Sequence, residues 1–206
     1  MKSQEFIWDH LYVKGLSWKK STTGLKKVMR NKDVLELGVG NGKTLKSIIS
    51  QKPKKVTAID ISIEAIKIAR EAIKSNRIVF LNEDFLKFKT KSKFEVIVCY
   101  YFLNNFKKEQ RKKVIEKISS LLEVGGTILF EDFSVGDYRQ NGQVIEKNTI
   151  QKQNGLICHF FEKNEILDLF KEFNNIQIEE KIFSPIKVDD SIKRKIIKAT
   201  IKLRAR

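Results

Sequence analysis

The chain has 206 residues, 41% of them hydrophobic and 32% charged, which is enough for one domain with a full core and ordinary for a water-soluble protein. No apolar run approaches the roughly 20 residues of a membrane span, the polar start Met1-Lys2-Ser3-Gln4-Glu5 does not read as a signal peptide, and two cysteines with two histidines argue against a zinc cluster; the expected compartment is the cytoplasm. Forty-one Lys and Arg against 25 Asp and Glu leave a formal net charge of +16, which favours a polyanionic partner such as nucleic acid, although a composition crowded with Lys, Ile and Asn yields the same surface without one.

In chain order, Phe6-Ile7-Trp8-Asp9-His10-Leu11-Tyr12 reads as a short helix and the stretch to Gly15-Leu16-Ser17-Trp18 as a loop. Two tryptophans so close together need burial: Trp8 is expected to pack against a sheet, Trp18 either to pack or to wall a pocket, and His10 to lie at the surface. Leu25, Val28 and Met29 recur at helical spacing and predict a helix over 23–31. An apolar strand over 33–37 then runs into Gly38-Val39-Gly40-Asn41-Gly42-Lys43-Thr44 and a helix with Leu45, Ile48 and Ile49 inward, ended by Pro53. Strand two covers 55–60. Ser62 caps a helix that sets Ile63, Ile66, Ala69 and Ile73 on one face and Lys67, Arg70 and Lys74 on the other. The alternation continues with strand three at 78–81, strand four at 94–99, a helix from Lys108 with Val114, Ile115, Ile118, Leu121 and Leu122 inward, the turn Gly125-Gly126, and strand five at 127–132. Lys107, Lys108, Arg111, Lys112 and Lys117 are expected around the solvated side of that helix.

The glycine-rich turn after strand one carries the chemistry. Glycines let a ligand approach the backbone, and the following helix offers it free N–H groups. The spacing is Gly-x-Gly-x-Gly, with Lys43 where the dinucleotide fingerprint has its third glycine, which argues against NAD. Glu36, just before the turn, would repel a pyrophosphate but accepts hydrogen bonds from an ammonium group. Asp60 closes strand two about 20 residues on, where an acid accepts both hydroxyls of a ribose. An amino acid joined to a nucleoside satisfies both. Asp84, in Asn82-Glu83-Asp84-Phe85 after strand three, would accept from an exocyclic amino group, with Phe85 either packing on the ring or belonging to the core. Ligands of open α/β sheets lie beyond the carboxyl ends of the strands, so Tyr100 and its neighbours should border the reacting centre.

At the run Glu36-Leu37-Gly38-Val39-Gly40-Asn41-Gly42, with Asp60, Asp84 and Gly125-Gly126 in place, the chain resembles the class I S-adenosylmethionine-dependent methyltransferases. The resemblance implies a doubly wound α/β fold with a mostly parallel seven-stranded sheet, closed by a C-terminal antiparallel hairpin that the strand-like runs at 176–183 and 196–203 would form. It implies S-adenosylmethionine as cofactor and S-adenosylhomocysteine as product, with contacts from Trp18, Glu36, Gly38, Val39, Gly40, Asp60, Ile61, Asp84, Phe85 and Cys99. One domain is expected over 1–206, with 1–31 as N-terminal helices and a cofactor-covering loop. The Asn/Asp-Pro-Pro-Tyr/Phe motif of one amino-methylating branch is missing, and Cys99 lies inside a strand with no base nearby to make it a nucleophile.

Between strand five and a helix at 162–173 lies Glu131-Asp132-Phe133-Ser134-Val135-Gly136-Asp137-Tyr138-Arg139, then Gly142, Asn148, Gly155 and Cys158-His159-Phe160-Phe161. A stretch this polar reads as an insertion over 133–161 that folds over the substrate side. It is loosely similar to the eukaryotic tRNA 3-methylcytidine methyltransferases, which implies Tyr100, Asp132, Asp137 and Arg139 as substrate-facing residues and tRNA or another RNA as partner. Phe160 and Phe161 would then receive an unstacked base, with core packing as their other reading. Lys193, Arg194, Lys195, Lys198, Lys202, Arg204 and Arg206 make the C-terminal part the most basic and offer phosphate contacts. A small-molecule methyltransferase and a non-catalytic S-adenosylmethionine-binding protein are the alternatives.

Overall fold

The computed structural model describes residues 3–16, 25–184 and 193–203. Strands rich in Val, Ile and Leu, such as β1 (Asp33–Leu37) and β4 (Phe94–Tyr100), have no polar face to offer water, so they must be covered on both sides. They are: with β2 (Lys55–Asp60), β3 (Ile78–Asn82) and β5 (Leu122–Phe133) they form the parallel part of a seven-stranded sheet. Its order is β3-β2-β1-β4-β5-β10-β9, where β9 (Asn174–Phe183) and β10 (Arg194–Lys202) are the antiparallel hairpin at the far edge. The order reverses between β1 and β4, the place where α/β sheets open a crevice at their carboxyl ends.

Helices α2 (Lys43–Ile49) and α3 (Ile63–Ala72) cover one face, packing Leu45, Ile48, Ile66 and Ala69 on Val34, Ala58, Val98 and Leu129. Helices α4 (Lys108–Leu121) and α5 (Lys163–Leu169) cover the other, packing Val114, Ile118 and Ile166 on Leu35, Ile97 and Phe130. Ser62 caps α3 by accepting from Ala65 N. The buried face of α3 is rotated from the expected one: Ala65 is inside and Ile63 is exposed. Among the described residues no helix is long and apolar enough to cross a membrane.

Residues 25–31 do not form the helix that their spacing predicts, and residues 23 and 24 lie outside the described part. Leu25, Val28 and Met29 do pack on the α2 side of the core, with Met29 fully buried. The backbone is instead held by Gln51, whose side chain accepts from Met29 N (3.3 Å) and donates to Lys26 O (3.1 Å). Asn31 sits at φ 57°, which no helix continues through. The first helix, α1 (Gln4–Val13), is present, and its Trp8 is half-buried, with its ring 6.2 Å from that of Tyr12.

Within 133–161 a second, antiparallel sheet forms, with order β6 (Gln143–Glu146), β7 (Thr149–Gln151) and β8 (Ile157–His159). A buried polar chain ties it to the body. His159 bonds Thr149 Oγ1 through Nδ1 (2.7 Å) and Glu165 Oε2 through Nε2 (2.8 Å), and Glu165 Oε1 meets the Arg111 guanidinium at 3.3 Å. Arg111 is thus interior, not on the solvated side of α4, and it also donates to Phe106 O (2.7 Å). Burial holds His159 below its ordinary pKa, with Glu165 pulling the other way. Glu165→Ala leaves a buried guanidinium without its partner and is expected to lower unfolding free energy by about 3 kcal/mol in equilibrium denaturation. Replacing both ends, Arg111→Met with Glu165→Leu, should restore most of it.

Candidate cofactor and acceptor cleft

The cleft begins where β1 ends. Gly38 and Gly40 take positive φ (72° and 54°), which lets the turn fold back so that Gly38 N and Val39 N donate to Ile59 O (2.9 and 3.1 Å). A Cβ on Gly40 would stand 2.8 Å from Tyr12 Oη, so the glycine is what lets α1 lie across the turn. α1 is anchored on both sides. Asp9 Oδ1 accepts from Ser62 Oγ (2.6 Å) and Glu64 N (3.3 Å) at the start of α3, and Gln4 Nε2 donates to Gly155 O (3.3 Å) in the β7–β8 turn. Tyr12 and Asp9 are thus structural parts of the cleft beyond the expected residues. Asp9 and Tyr12 are three residues apart and so share one helix face.

Two buried carboxylates face this turn. Asp60 Oδ2 accepts from Gly40 N (2.8 Å) and Oδ1 from Ser62 N (2.9 Å); burial raises its pKa to about 6 against the pull of those N–H groups. A carboxylate has about four acceptor sites, so lone pairs are left for hydroxyls. Glu36 is 2% exposed, and its Oε2 has no hydrogen-bond partner among the described residues. Burial first, and then the charge of Asp60, push its pKa well above the carboxylate range. A buried acid with an open oxygen beside a second acid is a site for a cation. That pair of acceptors fits a ligand joining an ammonium group to a ribose.

The other expected cofactor residues lie around this pair at different depths. Asp84 turns Oδ1 to Leu86 N (2.9 Å) and is partly exposed, with Lys87 Nζ 4.0 Å from Oδ2. Phe85 is interior, edge-on to Phe102 at 5.8 Å. Ile61 is half-buried and accepts from Asn82 Nδ2 (2.8 Å), and Val39 is buried in the α2-side core. Cys99 is fully buried on the α4 side, where burial drives its thiol pKa well up. Trp18 lies outside the described residues.

On the acceptor side, Tyr100 and Glu131 are register partners at the ends of β4 and β5. Tyr101 has φ 52°, and its hydroxyl donates to Glu131 Oε1 (2.6 Å), while Glu131 also forms an ion pair with Lys198 across from it on β10. Tyr100 is half-buried, and burial together with Glu131 holds its hydroxyl protonated. Lys43 is held below its usual pKa by burial and then by the charges of Arg194, Arg139 and Lys198, with Glu131 opposing. The charges of Lys43, Arg194, Arg139, Lys198 and Glu131 therefore act on one another across the carboxyl end of the sheet.

Asp132 is not at that surface. It is fully buried on the opposite face of β5, where Oδ1 accepts from Asn104 Nδ2 (2.6 Å) and Phe133 N (2.9 Å), and Oδ2 from Asn104 N (3.0 Å). It fixes the short turn Leu103–Asn105 that follows β4. Asp137 is also buried, bonding Arg139 N (3.0 Å) and Lys195 N (2.8 Å) and so pinning its loop to β10. Arg139 does reach the cleft side, 5.1 Å above the Phe133 ring. Phe160 and Phe161 are fully buried, on Phe133 (5.8 Å) and Phe130 (5.3 Å), and their surroundings are core.

Residues 34–126 match the methyltransferase-domain family, and the sheet order and glycine turn agree with the class I, S-adenosylmethionine-dependent resemblance read from the sequence. An uncharacterized methyltransferase of Geobacillus kaustophilus is 34% identical over 55% of this chain and 53% of its own length. A tRNA N(3)-methylcytidine methyltransferase of Schizosaccharomyces pombe is 25% identical over 74% of this chain and 55% of its own length. A malonyl-[acyl-carrier protein] O-methyltransferase of Bacillus anthracis is 23% identical over 73% and 57%. The chain thus spans about half the length of these relatives. The N-methyltransferase NodS of Bradyrhizobium japonicum, solved with S-adenosylhomocysteine, superposes with a TM-score of 0.64 at 19% identity, covering 84% of this chain and 79% of that one.

Asp132 gives a pH signature. Burial lifts its pKa to about 7 against the hydrogen bonds of Asn104 and Phe133, whereas an unfolded aspartate titrates near 3.9. Between about pH 4 and pH 7 the folded protein binds a proton here that the unfolded chain does not, so this contribution to stability falls as pH rises through that window and levels off above it. Urea denaturation from pH 5 to 8 is expected to show a shallower decline in Asp132→Asn than in wild type. An identical slope would mean that Asp132 does not titrate there.

Proposed function

We propose that this protein binds S-adenosylmethionine in the cleft and transfers its methyl group to a base of RNA, with tRNA as the acceptor. The observation that carries the acceptor class is the cluster of cations on the far side of the cleft, where Arg194, Arg139 and Lys198 act on Lys43 with Glu131 opposing, on a chain of net charge +16. When bound, the cofactor supplies an activated methyl group on a sulfonium for in-line displacement. Glu36 takes the ammonium group on its open oxygen, Asp60 the ribose hydroxyls, and Asp84 the amino group of the adenine. Val39 and Ile61 line the apolar walls, and Phe85 and Cys99 back them from the interior. Tyr100 would border the reacting centre, and Tyr12, over the glycine turn, would help to keep water out of it. Arg139 holds a phosphate of the acceptor, and Asp132 and Asp137 act by fixing the loops that position Tyr100 and Arg139. A small acceptor bearing a carboxylate is the second reading, because the same arginines pair with carboxylate as with phosphate.

The test is transfer of radiolabelled methyl from S-adenosylmethionine to unfractionated small RNA, run beside nuclease-treated and metabolite fractions at low and raised salt. Label that nuclease removes and that falls steeply with salt is the expected result. Label found only among metabolites would replace RNA with a small acceptor. In isothermal titration Glu36→Gln should weaken cofactor binding at least about tenfold, because a neutral amide replaces the charge facing the ammonium group. Failure of the wild type to bind cofactor would sink the whole reading.

A further inference from the structure

At the mouth of the acceptor side, rings and guanidinium groups alternate. The Tyr138 ring lies 5.4 Å from Arg139 Cζ, which lies 5.1 Å from the centre of Phe133. On the other side Arg194 Cζ stands 5.5 Å from Phe133, 5.5 Å from Tyr101 and 6.0 Å from Phe183. The array is built into the backbone. Arg194 and Phe183 are register partners at the start of β10 and the end of β9, Tyr138 N donates to Lys193 O (3.0 Å), and the Asp137 carboxylate takes Lys195 N (2.8 Å). The rings in the middle are shielded, Phe133 at 9% exposure, whereas the two at the ends are open, Tyr138 at 46% and Phe183 at 43%.

Two features ask for a ligand. Arg194 Nε is buried and has no hydrogen-bond partner among the described residues, and neither guanidinium has an ion-pair partner there. A guanidinium stacked on a ring keeps its edge free for an oxyanion, so both arginines retain donors for phosphate. Large aromatic faces left open beside such cations are what single-stranded nucleic acid uses, because every base offers a face to stack and every linkage a phosphate. A small acceptor held inside the cleft would leave both end rings uncovered.

We infer that the Tyr138–Arg139–Phe133–Arg194–Phe183 array is a docking surface for an unpaired segment of RNA flanking the acceptor nucleotide. Bases stack on Tyr138 and Phe183, and the linking phosphates meet the edges of Arg139 and Arg194. The inference rests on the RNA reading above and adds to it the form of RNA: an unpaired strand, not a duplex.

The test is fluorescence anisotropy with a labelled single-stranded oligoribonucleotide and a blunt RNA duplex, across a range of salt, beside the methyl-transfer assay. Tyr138→Ala and Phe183→Ala should each weaken single-strand binding about tenfold with little change in salt slope, and Tyr138→Trp should keep it. Arg139→Gln and Arg194→Gln should each lower the salt slope by about one. Because both end rings are exposed, their alanine variants should fold, which thermal unfolding of each will check. If the wild type labels and binds RNA while both ring variants bind as tightly, or if duplex binds as well as single strand, the docking surface is overturned and the RNA reading stands. If the wild type neither binds the oligonucleotide nor labels RNA, the reading falls and this surface with it.

Discussion

Two carboxylates buried at the carboxyl ends of neighbouring parallel strands set the terms for the cleft. Asp60 is made tolerable by backbone: the N–H groups of Gly40 and Ser62 point at it, and in doing so they fix the glycine turn and the start of α3. Glu36 has no such compensation at Oε2. Keeping it ionised and unpaired would cost several kcal/mol of desolvation, which is why its pKa is pushed well up and the ionised form waits for a cationic partner. The sheet therefore carries a local cost at Glu36 that a cationic ligand group would remove, and stability and ligand binding are coupled at that residue.

The switch in strand order then separates two polarities. On the β1–β2 side, the acids gather around a turn whose glycines admit a ligand to the backbone. On the β5–β10 side, the antiparallel hairpin brings in Arg194 and Lys198, and the loop after β5 adds Arg139. Lys43 stands between them at the start of α2, where a dinucleotide site would need a glycine. A ligand with a cationic end and an acceptor with anionic groups are thereby steered to opposite sides of one crevice, which is a matter of topology as much as of side chains.

The parts of this arrangement legible in the sequence are those with one physical cause. Parallel strands buried on both faces must read as continuous apolar runs, and β1, β2 and β4 did. The glycine turn and its two acids follow from what a backbone must do to approach a ligand. The segment 25–31 illustrates the limit: its apolar positions pack on the core as their spacing suggests, but Gln51, two elements on in sequence, decides the backbone. Arg111 looks like one more lysine-rich helix position until Glu165 and His159 are placed beside it. Glu131 and Asp132 are adjacent acids at a strand end. Alternation guarantees that they face opposite sides, but only the pairing of Glu131 with Tyr100 and Lys198 says which one faces the cleft. Phe160 and Phe161 are rings in a core, and composition alone does not separate that from a base-stacking site.

Tyr101 shows how the two polarities are kept apart. Its backbone is left-handed, a conformation that costs a β-substituted residue about 1 kcal/mol and turns the chain as it leaves β4. In return its N–H reaches Glu131 O (2.7 Å) and its hydroxyl reaches Glu131 Oε1 (2.6 Å), a short charge-assisted bond. Lys198 occupies the same carboxylate from the facing strand. Held by both, Glu131 is neutralised as a field source and preserved as a hydrogen-bond acceptor. Without those partners an ionised acid at the end of β5 would repel the anion that Arg139 and Arg194 are free to hold. The strained tyrosine thus keeps the acceptor side positive, and it does so from the residue that directly follows the expected neighbour of the reacting methyl group.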